Sequence, residues 1–304
     1  MRAAQMTRVE LLEWLSTWAP EGSKPQEMAG YIRQSAGRYL ATARLLEQEA
    51  PQGAKVLEIG SDPYYLPLFL RKIRPDLDWT GTNWFKEPKL GPQIGKTIDK
   101  KTGESAEIPF FSYNVEGKEE GALKPESYDV ALYCEVLEHL FEDPVQSLEN
   151  LHGVLKPGGH LLLTTPNPAR LYNLQRLVLR QSFYDPISGY GPYGRHNREY
   201  AVGELRDLLD NVGFDVVSAT TIETTHDWLY RRAAAKLGYG EHHLVWAKRR
   251  PGNARRYRPE WLYRSFEPAF YQARLQALTG AQRQNVARSG SAHAREADIP
   301  SAHG

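Results

Sequence analysis

The side chains of this 304-residue chain most able to do chemistry lie in a few short stretches. Glu135 and His139 stand one helical turn apart in EVLEHL (135–140). Imidazole has an ordinary pKa suited to moving a proton near neutral pH, so His139 is a candidate general base; its competing role is to shape a pocket floor. In GRHNREY (194–200), His196 is flanked by Arg195 and Arg198. Guanidinium forks there suit a phosphate, a carboxylate or the hydroxyls of a sugar, or else they pair with Glu199 or cap a helix. Tyr184, Tyr190, Tyr193 and Tyr200 gather around that stretch with several glycines. Such rings stack on sugars and planar groups, or simply cover a core. Glu58, Gly60 and Ser61 put a carboxylate, an open backbone position and a hydroxyl at one turn. His242 and His243 begin a strand, so their rings point to opposite faces and cannot share a metal; no metal site is expected. His226, Asp227 and Trp228 carry a weaker signal.

These groups need a scaffold, and the hydrophobic pattern supplies one. Val56, Leu57 and Ile59 form a buried strand that stops at Gly60. Asp62 stands where an N-cap belongs and Pro63 where a helix tolerates a missing N–H. Leu66, Phe69, Leu70 and Ile73 recur at helical spacing, although Pro67 pushes the regular helix a few residues later. Further strands are expected at 78–83, 108–115, 128–134, 160–166, 214–220 and 242–247. Helices are expected after Asp143-Pro144 and over 201–209. The Lys-rich stretch 86–105 reads as an exposed loop or short helix, and KPGG (156–159) as a helix terminator. Strands alternating with helices at this spacing imply a parallel α/β sheet. Ahead of it, residues 1–54 read as a helical segment, one helix carrying Val9 to Trp18 and broken at Pro20. Substrate insertions fall near 167–200 and 221–241 within a domain spanning 55–248. The tail, 249–304, is basic and partly disordered by composition.

Bulk properties exclude several classes. With 41% hydrophobic and 25% charged residues the chain has ordinary globular composition, and its net charge of +1 gives no polyanion-binding balance. The single cysteine, Cys134, cannot form an internal disulfide, which fits a reducing, cytoplasmic compartment. The opening residues lack a continuous apolar core, so they read as neither a signal peptide nor an anchor. A strand–turn–helix of this kind commonly holds a dinucleotide, but here Asp62 and Pro63 occupy the positions that should attract phosphate. The ligand should therefore lack phosphate.

VLEIGS (56–61), SYDVALYCEVLEHLFEDP (127–144), LHGVLKPGGHLLLTTPNP (151–168) and RHNREYAVGELRDLLDNVGF (195–214) together resemble the class I S-adenosylmethionine-dependent methyltransferases. The resemblance implies a Rossmann-like methyltransferase fold, a mostly parallel seven-stranded sheet with an antiparallel last strand, and S-adenosyl-L-methionine as cofactor. Carried over by position, it implies that Glu58, Gly60 and Ser61 border the methionine and ribose portion. Asn83 replaces the usual ribose acid, Trp84 stacks beside adenine, and Asn114 and Val115 form the adenine edge. Glu135 borders the transfer site. Asp62 and Tyr64 stand where the family has further loop glycines, so the loop must follow another path.

His139 and His196 are the catalytic candidates, and Arg195, Arg198, Tyr190 and Tyr193 the substrate candidates. The motif series also resembles bacterial methyltransferases of polysaccharide and glycoconjugate pathways, which places O-methylation of a sugar hydroxyl first. A quinone, polyketide or other aromatic acceptor is the alternative, favoured by a pocket of Leu and Phe rather than Arg, Asn and Tyr. A non-catalytic cofactor-binding partner subunit is the alternative of another class. Nucleic acid is not an expected partner, since no (D/N)PPY-type motif or basic core is present.

Overall fold

A computed structural model describes residues 2–84, 89, 91–117, 123–188, 192–224, 228–252 and 259–263. In chain order the elements are α1 (Arg8–Leu15), β1 (Trp18–Pro20), α2 (Pro25–Glu49), β2 (Lys55–Ile59), α3 (Tyr65–Ile73), β3 (Asp78–Asn83), β4 (Pro92–Asp99) and β5 (Ser105–Ser112). They continue with β6 (Tyr128–Cys134), α4 (Pro144–Val154), β7 (Leu155–Pro166), α5 (Leu171–Val178), α6 (Val202–Val212), β8 (Phe214–Ile222), α7 (Trp228–Leu237) and β9 (His242–Arg249).

The strands form one nine-stranded sheet in the order β1-β4-β5-β3-β2-β6-β7-β9-β8. Pairings β5–β3, β3–β2, β2–β6 and β6–β7 are parallel, and β9 runs antiparallel to both β7 and β8. The expected seven strands with their antiparallel last one are thus present, but two more extend the edge. One is β4, drawn from the stretch expected to be a loop or short helix. Its sheltered positions are Gly95, Thr97 and Asp99, so its inner face lacks the apolar alternation that announces a strand. Gly95 is required there, because an added Cβ would fall 2.2 Å from Cζ of Tyr64. The other is β1, which takes Trp18 out of the expected first helix and pairs it with Asp99.

Other boundaries also moved. KPGG lies inside β7, which starts at Leu155 beside a register shift between Tyr128 and Val130. β5 ends at Ser112, leaving Asn114 and Val115 beyond it. α3 starts at Tyr65, after Tyr64 in the left-handed region at φ 71°, with no side-chain cap. Asp62 is therefore no N-cap, and the Asp62–Pro63 peptide is cis. Pro67 then sits in the first turn, where no intrahelical N–H is needed. Asp143 does cap its helix, accepting from the amide of Val145 at 3.1 Å.

The sheet is covered on both faces, because successive strand residues point oppositely. Val56, Val130, Leu132, Leu162 and Trp246 pack under α1, α2 and α3. Leu57, Ala131, Tyr133, Leu161, Leu163 and Val245 pack with side chains of α4 and α6. Residues 259–263 dock beside α6: Trp261 Nε1 donates to Asp207 at 2.7 Å, and the Tyr263 hydroxyl donates to Asp143 at 2.7 Å. The segment from 282 onward lies outside the described residues. No described helix is long and apolar enough to cross a membrane.

Candidate functional site

The parallel strands end together, and the connections of β2 and β6 leave to opposite sides, which opens a crevice at the carboxyl edge. A cleft of about 750 Å³ lies there, lined by α2, the β2–α3 loop, the segment after β6, and the loops on either side of α5. A recess of about 60 Å³ adjoins it, lined by Glu58, Gly60, Ser61, Cys134 and neighbours on α2. Tyr31, Arg38, Asp62 and Glu135 line both.

In the recess, Gly60 has φ +78°, and its amide and that of Ser61 donate to Thr82 O at 2.9 and 3.0 Å. A left-handed residue whose Cβ would meet Val136 Cγ2 at 3.0 Å is best a glycine. Asn83, at the tip of β3, accepts from the Asp62 amide through Oδ1 at 2.9 Å and so ties the loop to the next strand. Its Nδ2 and Glu58 Oε2 are buried without hydrogen-bond partners. Burial pushes the Glu58 carboxyl up to about 8, against the opposing pull of Ser61 and Arg38. The recess therefore offers the buried Glu58 carboxyl and the Ser61 hydroxyl to a ligand.

Glu135 follows β6 directly and adopts φ 56°, an uncommon conformation that bends the chain toward the cleft. One carboxylate oxygen lies 2.9 Å from His242 Nδ1 and the other 3.7 Å from Arg38 Nε. Burial alone would raise its pKa, but His242 and Arg38 outweigh burial and hold it below the usual carboxylate range. A short helical turn, Leu137–His139, comes next. Glu138 is fully buried; desolvation, reinforced by Glu135, pushes it upward.

His139 Nδ1 is 3.0 Å from the Arg195 carbonyl, and the His139 and His196 rings meet edge to face with centroids 5.0 Å apart. Burial lowers the pKa of His139, and His196 lowers it further. For His196, burial is outweighed by Glu199 at 3.0 Å and by Glu138 and Asp185, so its pKa rises. One backbone and one side-chain hydrogen bond lock these segments together: Asn197 N donates to Glu138 O at 2.7 Å and Asn197 Nδ2 to His139 O at 2.8 Å.

The fold thus brings Glu58, Gly60, Ser61, Glu135, His139, His196 and Tyr193 onto one cleft and its recess. Tyr193 donates to Glu116 at 3.0 Å and packs edge to face on Phe141. Arg198 goes elsewhere: it pairs with Glu204 at 2.7 Å and stacks on Tyr200 and Trp261. Arg195 turns its Nε to Asn197 Oδ1 at 3.3 Å, and its carbonyl, rather than its charge, serves the site. Glu199 is held by Arg170 at 2.7 Å, not by either of these arginines. Trp84 is half-buried beyond β3; Asn114 accepts from the Glu116 amide, and Val115 O accepts from Asn150. Tyr190, His226 and Asp227 lie outside the described residues.

Sequence reasoning missed Arg38, Glu138, Arg170, Asp185 and His242. The E-x-x-E-H spacing signalled Glu138. Nothing local marks Arg38 on its long helix.

A methyltransferase-domain family model matches residues 29–219. A Mycolicibacterium smegmatis protein, "Probable S-adenosylmethionine-dependent methyltransferase", is 30% identical over 119 residues, 39% of this chain and 36% of that protein. An Aliivibrio fischeri ubiquinone biosynthesis O-methyltransferase is 27% identical over 160 residues, 52% of this chain and 62% of that enzyme. The chain therefore spans less than two thirds of the length of these curated relatives. A SAM-dependent methyltransferase structure from Archaeoglobus fulgidus has a TM-score of 0.45 at 14% identity, covering 72% of this chain and 99% of that one. Cleft and recess together suit such a cofactor, because Glu58, Ser61 and Glu135 line them with polar groups able to meet its hydroxyl and amino groups. The chain belongs to the methyltransferase-domain family, with a Rossmann-like fold and S-adenosyl-L-methionine as cofactor.

Proposed function

We propose that the protein methylates an oxygen of a polar, hydroxyl-bearing acceptor of the sugar or glycoconjugate class. The observation that carries this reading is the lining of the cleft. Among the described residues, Glu, His, Arg, Gln, Ser, Asp, Thr and Tyr side chains surround it, with Pro63 and Pro166 and without Leu, Ile, Val or Phe. Multiple hydrogen-bonding groups converging on one space favour a ligand rich in hydroxyls.

The cofactor supplies an electrophilic methyl group on a sulfonium centre. Glu58, Gly60, Ser61 and Asn83 would hold it, with Trp84, Asn114 and Val115 toward its adenine. The remaining work of the chain is to orient the acceptor and manage its proton. The Arg195 carbonyl can only accept a hydrogen bond, so His139 Nδ1 carries the hydrogen and Nε2 keeps a lone pair. With its pKa lowered, His139 is neutral at pH 7 and suited to help an acceptor hydroxyl lose its proton. Tyr193 and Arg170 frame the cleft around that point.

An aromatic acceptor is the second reading, favoured by the likeness to a ubiquinone biosynthesis O-methyltransferase. The test is a methyl-transfer assay on sugar nucleotides, glycosides, catechols and quinols, run beside a calorimetric titration with adenosylmethionine. Turnover confined to sugar-class acceptors supports the proposal, and turnover confined to catechols or quinols overturns its acceptor class. Adenosylmethionine binding without turnover of any acceptor would bring forward the non-catalytic partner-subunit reading, and failure to bind it would overturn the enzyme reading itself.

A further inference from the structure

Glu138, His139 and His196 each present one ligand atom to a common point, all within 4.8 Å of one another. Glu138 is fully buried, and its Oε2 accepts from the Thr165 hydroxyl at 2.9 Å. Its Oε1 is buried with no hydrogen-bond partner and lies 3.8 Å from His139 Nε2. That separation exceeds a hydrogen bond but is near the roughly 3.4 Å between tetrahedral ligand atoms on an ion with bonds of about 2.1 Å.

The tautomers also fit. His139 Nδ1 is committed to the Arg195 carbonyl, which leaves Nε2 as a lone-pair donor aimed at Glu138. His196 Nδ1 faces Glu199 at 3.0 Å, which leaves its Nε2 free. A carboxylate or carbonyl behind each ring is the arrangement that orients imidazoles on metals. The hydrogen bonds from the Asn197 amide to Glu138 O and from its Nδ2 to His139 O fix the spacing before any ion arrives.

We propose that Glu138, His139 and His196 form a binding site for a first-row divalent metal ion of the Zn²⁺ or Co²⁺ kind. Two imidazoles and one carboxylate make a borderline donor set, and three protein ligands leave coordination positions open toward the cleft. Metal binding stands independently of the acceptor assignment. Its use rests on the proposed methyl-transfer reading: an ion there would hold and acidify the acceptor oxygen in place of direct proton transfer to His139.

The test uses the full chain, stripped with a chelator and dialysed. Calorimetry with Zn²⁺ and visible absorption with Co²⁺ are followed, and adenosylmethionine binding is measured on the same samples. One equivalent should bind, with cobalt bands strengthened on coordination. Glu138→Gln, His139→Gln and His196→Gln should each weaken Zn²⁺ at least about tenfold, and Glu199→Gln by about 10- to 100-fold. His160→Gln, midway along β7 with its ring stacked on Trp246, should leave the affinity unchanged. The cobalt spectrum of the unaltered chain reads the site even where a variant fails to fold. No stoichiometric binding, or ligand variants that bind like the parent, would overturn the site. Loss of metal binding with adenosylmethionine binding intact refutes this inference alone, whereas absent adenosylmethionine binding refutes the proposed function.

Discussion

Replacing Gly60 by alanine tests whether the β2–α3 turn holds the cofactor through its backbone path. Gly60 has φ +78°, where a Cβ costs about 1–2 kcal/mol. The new methyl would also meet Val136 Cγ2 at 3.0 Å, closer than ordinary packing, so Val136 must shift. Adding a modest overpacking cost brings the total to about 2–3 kcal/mol. At about 2–4 °C per kcal/mol for a domain of this size, Tm should fall by roughly 4–12 °C. The strain sits where the Gly60 and Ser61 amides bond Thr82, so relief of strain moves the wall of the recess. If half or more of the cost is released by that shift, the Kd for adenosylmethionine should rise about tenfold, at about 1.4 kcal/mol per decade. Differential scanning fluorimetry and calorimetric titration read both quantities. Gly30→Ala is the matched control: Gly30 is exposed inside α2 with nothing near a new Cβ, so it should stabilise by about 0.5–1 kcal/mol. A Gly60→Ala protein with parental Tm and affinity would refute the argument.

Arg198→Met should leave methyl transfer within about twofold of the parent, because its guanidinium is engaged with Glu204, Tyr200 and Trp261; a large rise in KM would restore it to the substrate set. Burial, helped by Arg249, lowers the pKa of His152 to about 4 from an ordinary 6.5. The unfolded chain therefore binds more protons below pH 6.5, so stability should fall as pH drops from there toward 4. Denaturation midpoints across that window should flatten in His152→Gln, and an unchanged slope would refute the assignment. Tyr133→Phe removes a buried hydroxyl that donates to Ser147 at 2.9 Å, while Ser147 keeps its own bond to Pro144 O. It should cost about 0.5–1.5 kcal/mol by urea titration, with no change in cofactor affinity.

The sequence by itself determined the central sheet and its chemistry-bearing edge. Apolar runs such as YDVALYC have one stable fate, a buried strand, and Asp143-Pro144 starts a helix because its groups satisfy backbone amides locally. Glu135, His139 and His196, which the fold brings to one cleft, were legible as candidates because imidazoles and carboxylates stand out against loop composition. Tertiary structure alone decided the rest. β4 hides among glycine, threonine and lysine, since its inner face was shaped to receive the Tyr64 ring rather than to be apolar. Arg38 reached Glu135 from a helix nearly a hundred residues upstream, and Arg198 turned away from the cleft toward Glu204. His242 and His243 do face apart along β9, yet the fold delivers His242 to Glu135 and pairs His139 with His196 from a distant loop. Local propensity reads contacts a few residues apart. Charge pairs and ligand clusters join residues whose separation in sequence carries no periodic signal, so only packing reveals them.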